Sequence, residues 1–366
     1  MLLLSHLPDE LLQLIFAWCL PSQDFAPYLI ARPLSTTAPL LLTQICVRWR
    51  NVAVATPELW TFMRTIFRPI SAESVTVPVD PLLTLWLQRA APLSITLVIA
   101  DIAVGSLYDV LRRFPTRLAH LHVHGLQLTE LCRTALADSM LALPSLQTLL
   151  LRPTYAQDIL LLDNLITPQL RNLTSRRRQP GLRLERLASL IARSACGAEL
   201  THMSLSTHGA SPDLLALLRA TPNVHHLELH DEQHYALLPA FQHLLERDIL
   251  PSLQNLRLES IAGYGHTRFD AQTLVRILQQ RHRRNPSLKT AYLNLEGPDR
   301  HAFYPWDSDE EEQEARATLD TRAYASELHK LMLDGLDLHV RKQSGHRRWA
   351  DSDSSNDETD EESEYE

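Results

Sequence analysis

Between residues 118 and 333 the chain repeats a short apolar pattern, L-x-x-L-x-L or a close variant. The copies read Leu118-x-x-Leu121-x-Val123, Leu146-x-x-Leu149-x-Leu151, a degenerate Leu170-x-x-Leu173, Leu200-x-x-Met203-x-Leu205 and Val224-x-x-Leu227-x-Leu229. Leu253-x-x-Leu256-x-Leu258, Leu288-x-x-Ala291-x-Leu293 and Leu328-x-x-Leu331-x-Leu333 complete the series. Their starts are 28, 24, 30, 24, 29, 35 and 40 residues apart. Each copy has the alternation of a short strand. A strand of that length cannot bury its apolar face alone, so the units must stack.

Helical patterns lie between the copies, at Thr129 to Leu143, Leu184 to Ser194, Pro212 to Ala220, Ala236 to Arg247 and Ala271 to Arg281. One short strand and one helix per unit is the architecture of a leucine-rich-repeat solenoid. The Asn or Cys that usually follows the third apolar position is missing from most copies, so the expected array is irregular. A compact mixed α/β domain is the alternative. Upstream, Ser74 to Val79 reads as a strand and Leu82 to Ala90 as a helix.

Side chains alternate across a strand. Leu121, Val123, Leu149, Leu151, Leu227, Leu229, Leu256 and Leu258 are then expected in the core. The opposite, concave face carries His120, His122, His124, Thr148, Leu150, Arg152, His202, Ser204, Ser206, His226, Glu228, His230, Asn255, Arg257 and Glu259. Of these, His120, His122, His124, Arg152, His202, His226, Glu228, His230, Arg257 and Glu259 are the candidate contacts for a large ligand.

The first sixty residues follow a different rule. Pro8 suits a first helical position, with Asp9 and Glu10 in the first turn. Leu11, Leu14, Ile15 and Trp18 recur at helical spacing, and Leu12 and Phe16 form a neighbouring stripe. Pro21, Pro27, Pro33 and Pro39 mark an inserted loop. A second helix is read from Pro39 through Leu41, Leu42, Ile45, Cys46 and Trp49, and a short segment from Leu59 and Trp60 to Phe67. So small a bundle holds more large apolar side chains than it can hide. The excess either docks on the rest of the chain or marks a partner site.

The blocks Leu7-Pro8-x-Glu10-Leu11 with Ile15-Phe16 and Leu20, Ile45-Cys46-x-Arg48-Trp49-Arg50, and Pro57-x-Leu59-Trp60 resemble the F-box, in the form carried by the large fungal F-box families. The Pro21 to Pro39 insertion departs from the usual short connection. The resemblance implies docking on the Skp-type adaptor of a cullin–RING ubiquitin ligase. Leu7, Pro8, Leu11, Ile15, Phe16, Ile45, Trp49, Leu59 and Trp60 would supply the contact or the small core beneath it.

Little else points to chemistry. There is no G-x-S-x-G, P-loop, G-x-G-x-x-G or H-E-x-x-H, so no catalytic residue and no cofactor is expected. His120, His122 and His124 share one strand face about 6.6 Å apart. Parallel side chains on one strand do not converge on an ion, so no metal site is expected. Net charge is −8, and residues 351–366 hold nine acidic and no basic residues. The remainder is nearly neutral, which argues against a nucleic-acid partner. The clusters Arg176-Arg177-Arg178 and Arg281-His282-Arg283-Arg284 read as solvated charge at loops and helix ends. Cys19 and Cys46 read as small buried hydrophobes within helices. Neither a signal segment nor a membrane span is evident, so the expected compartment is cytoplasm or nucleus.

The expected organisation is α/β: a small helical F-box bundle over residues 1–67, a connecting segment and solenoid start over 68–115, and irregular leucine-rich repeats over 116–340. An acidic loop falls at 307–314 and an acidic, disordered tail at 341–366, where Ser354, Ser355, Thr359 and Ser363 resemble sites of acidophilic kinases. The expected function is the substrate-recognition subunit of such a ligase, partnered by the adaptor, the cullin and an unknown protein substrate. The alternative is a non-catalytic scaffold whose F-box assembles no ligase.

Overall fold

The structure, a computed structural model, describes residues 7–20, 36–66, 81–90, 92–127, 140–152, 160–175, 184–207, 212–231, 249–260, 271–284, 287–296 and 329–343. The inserted loop as far as residue 35, the Ser74 to Val79 and Ala236 to Arg247 segments, most of the Thr129 to Leu143 segment, Cys132, Arg176 to Arg178, the acidic loop and the acidic tail from residue 344 lie outside the described residues. Residues 341–343, expected to open a disordered tail, instead end the strand Asp337–Gln343, because they pair with the strand before it.

The fold is mixed α/β and centres on a parallel sheet of ten strands. These are β1 (Phe62–Ile66), β2 (Ile95–Ala103), β3 (Leu118–Gln127), β5 (Thr148–Arg152), β7 (Asn172–Ser175), β8 (His202–Thr207), β9 (His226–Asp231), β10 (Asn255–Ser260), β11 (Thr290–Glu296) and β12 (Asp337–Gln343). Their spatial order is their chain order. The short strands β4 (Leu141–Ala142) and β6 (Leu165–Ile166) pair separately, which corrects the helix expected to run to Leu143: its last described residues are strand, held by the partner at Leu165–Ile166.

Register explains the repeat. Met63, Leu97, Leu121, Leu149, Leu173, Met203, Leu227, Leu256, Ala291 and Leu338 stand side by side, one per strand. A second column runs Ile99, Val123, Leu151, Ser175, Leu205, Leu229, Leu258, Leu293 and Val340. The opening residue of each copy, Leu or Val224, forms a third buried row at or just before the strand starts, from Leu118 through Leu288. Stacking these rows removes from water the apolar face that one strand leaves exposed.

A turn of one kind precedes four of the strands, β5, β7, β9 and β10. The Leu146, Leu170, Val224 and Leu253 amides donate to the carbonyls of Leu143, Thr167, Thr221 and Leu250, three residues back. The second residue of each turn is Pro144, Pro168, Pro222 or Pro251, whose fixed φ suits that position. Helices return the chain between strands. Leu184–Ser194 buries Leu184, Leu187, Leu190 and Ile191 along one face, and Pro212–Arg219 buries Leu214, Leu217 and Leu218. Ala271–Arg284 runs three residues past its expected end.

Arginines tie neighbouring units together. Arg117 donates to the Leu87 carbonyl at 2.8 Å, Arg193 to the carbonyls of Leu162 and Leu165, and Arg281 to that of Leu250. Arg281 is buried, and burial lowers its pKa. The expectation of a wholly solvated cluster at 281–284 is corrected there, because the guanidinium satisfies a carbonyl of the preceding unit.

Four other expectations are corrected. The last copy, Leu328 to Leu333, is not a strand: residues 329–333 are helical and Leu333 is exposed. This helix ends in a Schellman-type cap, Leu336 N–H to Leu331 and Gly335 N–H to Met332, with Gly335 at φ 95°. The strand starts only afterwards, so the true alternation is Leu336, Leu338, Val340. At the other end, β1 and β2 open the sheet before the first recognised copy. The read helix from Pro39 to Trp49 is two helices, Leu42–Ile45 and Val47–Val54, parted by extended Cys46 (φ −158°, ψ 169°). Cys46 and Cys19 are exposed rather than buried. The Cys46 thiol accepts the Trp49 amide at 3.4 Å and caps the second helix. Cys196 is buried, and its thiol is pushed up to about 11 by that burial. Among the described residues, no helix is long and apolar enough to cross a membrane.

Candidate functional site

Two surfaces stand out. The first is on the N-terminal helices. The helix Asp9–Trp18 follows Pro8, which stands one place earlier than read, as its N-cap. It has two apolar stripes. Leu12 and Phe16, four apart, are fully buried. Leu11, Leu14 and Trp18, at i, i+3 and i+7, share the other stripe and are 45%, 57% and 86% exposed. Leu41, Ile45, Val47 and Val54 add exposed apolar surface on the next two helices. The Arg48 guanidinium fixes the entry of the first helix through Asp9 (2.7 Å) and the Leu7 carbonyl.

The residues read from the F-box resemblance therefore divide. Leu11, Ile45 and Pro8 are exposed; Leu7, Ile15 and Trp49 are half-buried and packed on the core. Phe16, Leu59 and Trp60 are buried and cannot be first contacts in this conformation. Phe16 packs on Trp49 with ring centroids 4.9 Å apart. Trp60 donates its indole N–H to the Ala53 carbonyl at 2.8 Å and meets Trp86 edge-on at 4.9 Å. It stands three residues before Met63, the place that the opening leucine holds in later copies. It is thus the head of the first sheet unit, which is why it lies inside. Leu14, Trp18, Leu41 and Val47 were not among the site residues read from the sequence. The helical spacing of Leu14, Trp18 and Leu41 was visible, that of Val47 was not read, and spacing does not say which of two apolar stripes faces inward.

The second surface is the polar face of the sheet. His120, His122 and Arg152 on β3 and β5 are half-buried, and burial lowers the His120 pKa. The His124 side chain lies outside the described residues. β7 separates this group from the rest, which the structure brings together on β8 to β10. This side is less open than the sequence implies: Ser204, Ser206 and His230 are buried, because polar groups on adjacent strands satisfy one another.

His202 and His226 stack with ring centroids 4.2 Å apart and planes within 7°. Thr201 Oγ1 meets His202 Nδ1 at 2.8 Å, and the Asn255 amide meets His226 Nδ1 at 2.8 Å. Burial lowers both imidazole pKa values; neighbouring His226 and His225 lower that of His202 further, and His225 that of His226. The unfolded chain then binds more protons below the ordinary value of 6.5. Their contribution is fully present above that pH and is lost as pH falls through the folded values. Thermal unfolding is expected to drop in temperature between about pH 7.5 and about pH 5.5, and the double change of His202 and His226 to Asn should flatten that slope. An unchanged slope would remove the pair from any role in it.

Beside the stack lies a charged cluster. His230 Nδ1 is 3.0 Å from Glu259 Oε2 and His230 Nε2 is 3.4 Å from Glu228 Oε1. Arg257 Nε is 3.1 Å from Glu228 Oε1, and its guanidinium also contacts Glu259 Oε1. That guanidinium lies 4.8 Å over the Tyr292 ring. Ser204, His230 and Glu259 have the connectivity of nucleophile, base and orienting carboxylate. Ser204 Oγ, however, donates to Glu228 Oε2 at 2.8 Å and is 3.5 Å from His230 Nε2. The hydroxyl proton is directed to a carboxylate rather than to the imidazole. Neither family models nor curated protein sequences give any match to this chain.

Proposed function

We propose that the chain is the substrate-recognition subunit of a cullin–RING ubiquitin ligase. Its N-terminal helices act as an F-box and dock on a Skp-type adaptor. Its sheet is an irregular leucine-rich-repeat array that holds a protein substrate on the polar face. The observation that carries the reading is the second apolar stripe: Leu11, Leu14 and Trp18 stay exposed although Leu12 and Phe16 already complete the core beneath. Large aliphatic and aromatic side chains left outside a finished core are the anchors of helical interfaces. The block order Leu7-Pro8, Trp49 and Leu59-Trp60 supports the same reading. The mechanism is proximity, with the bond-forming chemistry supplied by other subunits.

Co-purification tests it. The wild-type chain should recover both adaptor and cullin, and Leu14→Asp with Trp18→Asp should abolish recovery while leaving the melting temperature unchanged. Full recovery by that variant would refute the placement of the interface. Recovery of adaptor without cullin would refute the ligase and leave the scaffold reading.

A further inference from the structure

We propose that Glu228 and His230, braced by Glu259, form a binding site for a divalent transition-metal ion, with Zn²⁺ the best match. One ligand atom from each of these three residues lies within 4.8 Å of the others. Glu228 and His230 alternate along one strand, as His120 and His122 do, but their side chains lean together, His230 Nε2 lying 3.4 Å from Glu228 Oε1. The paired strand makes the difference, since its register sets Arg257 beside Glu228 and Glu259 beside His230.

The geometry assigns the ligands different tasks. An ionised carboxylate only accepts hydrogen bonds. A His230 ligating an ion through Nε2 carries its hydrogen on Nδ1, where Glu259 Oε2 stands at 3.0 Å to accept it. The Nε2 that would ligate faces Glu228 Oε1 at 3.4 Å. Two ligands on one tetrahedral zinc, each at about 2.0–2.1 Å, stand about 3.3 Å apart. A carboxylate on the far nitrogen of a ligating imidazole is the usual brace that fixes ring and tautomer. Imidazole with carboxylate is a donor set that suits zinc, whereas magnesium prefers oxygen alone. His230 is 4% exposed, so its ring is held in place before an ion arrives.

Arg257 is the competitor. Its guanidinium touches Glu228 Oε1 and Glu259 Oε1, so a cation already lies against these oxygens. It brings one charge and only donors, and it cannot engage an imidazole lone pair. Its side chain is 51% exposed and can swing outward into solvent as an ion enters. Two protein ligands leave coordination positions open to water or to a side chain of whatever occupies the polar face.

The test is zinc titration of the full chain in competition with a chromophoric chelator. The chain has 17 histidines, so differences between variants are read rather than totals. Glu228→Gln and His230→Gln should each lose one tight equivalent. Glu259→Gln should weaken that equivalent about 10- to 100-fold. Arg257→Gln should strengthen it by at least about tenfold, because the resident cation is gone. Magnesium should show no such equivalent. Circular dichroism and melting without metal check folding; should His230→Gln not fold, Arg257→Gln at its half-exposed position still decides. The same zinc equivalents and affinities in wild type, Glu228→Gln and Arg257→Gln would overturn the site.

Discussion

Trp60→Ala is expected to cost about 3–5 kcal/mol of stability, the range for removing a fully buried large aromatic. The side chain is 0% exposed. Its loss would leave a cavity against Trp86 and an Ala53 carbonyl without its indole donor. It would also remove the ring beneath the Arg89 guanidinium, whose carbon lies 4.4 Å from the centroid. Urea unfolding measures the change. Trp18→Ala is the counterpart, with a side chain 86% exposed and an expected effect within about 0.5 kcal/mol. Under the proposed function both variants lose the adaptor, one by undermining the surface and the other by removing a contact. If Trp60→Ala unfolds like wild type, the residue does not head the first sheet unit.

Gly197→Ala is expected to destabilise by about 1–3 kcal/mol through overpacking. A Cβ at Gly197 would meet the Ala220 carbonyl oxygen, with the carbonyl carbon at 3.3 Å and Ile191 Cγ2 at 3.4 Å. Ala220 closes the helix of the following unit through its own amide, bonded to the Ala216 carbonyl. The obstacle is thus backbone, which cannot swing aside as a side chain can. Two residues earlier the logic reverses. Ala195 has φ 52°, a conformation that costs a non-glycine residue about 1–2 kcal/mol. Ala195→Gly should therefore leave the midpoint unchanged or raise it. Midpoints moving in the opposite senses would show that this turn is packed differently.

The strands β3, β5 and β7 to β11 were legible, β4 and β6 apart, because apolar residues three and, except at Ser175, five positions after an opening leucine or valine are forced by stacking. The opening turns added a second signal, proline two residues before that leucine, at Pro144, Pro168, Pro222 and Pro251. Its absence does not decide, since the Leu118 and Leu200 copies form strands without one; at the Leu328 copy it is Gly335, after the helix cap, that marks the true strand start. Trp60 escaped notice as a sheet residue because it fits the F-box pattern equally well, and one position can satisfy two patterns. The polar face was legible by alternation alone. Its pairings were not, since the approach of Glu228, His230, Arg257 and Glu259 depends on the register between strands that are distant in sequence. The exposed stripe of the first helix was legible as an excess of apolar residues, while its identity required knowing that Leu12 and Phe16 fill the core.

Trp60 has a consequence for reach. It closes the turn Pro57–Trp60, and only Thr61 separates it from the first strand, Phe62–Ile66. No flexible tether intervenes between the N-terminal helices and the sheet at this point. A protein seated on Leu14 and Trp18 would meet anything held on the polar face at one distance and one bearing, rather than across the broad range of separations a loose linker samples. Selectivity would then include geometry: a ligand bound equally well, but presenting its reactive group on the wrong side, would lie outside the arc that such a rigid arm can serve.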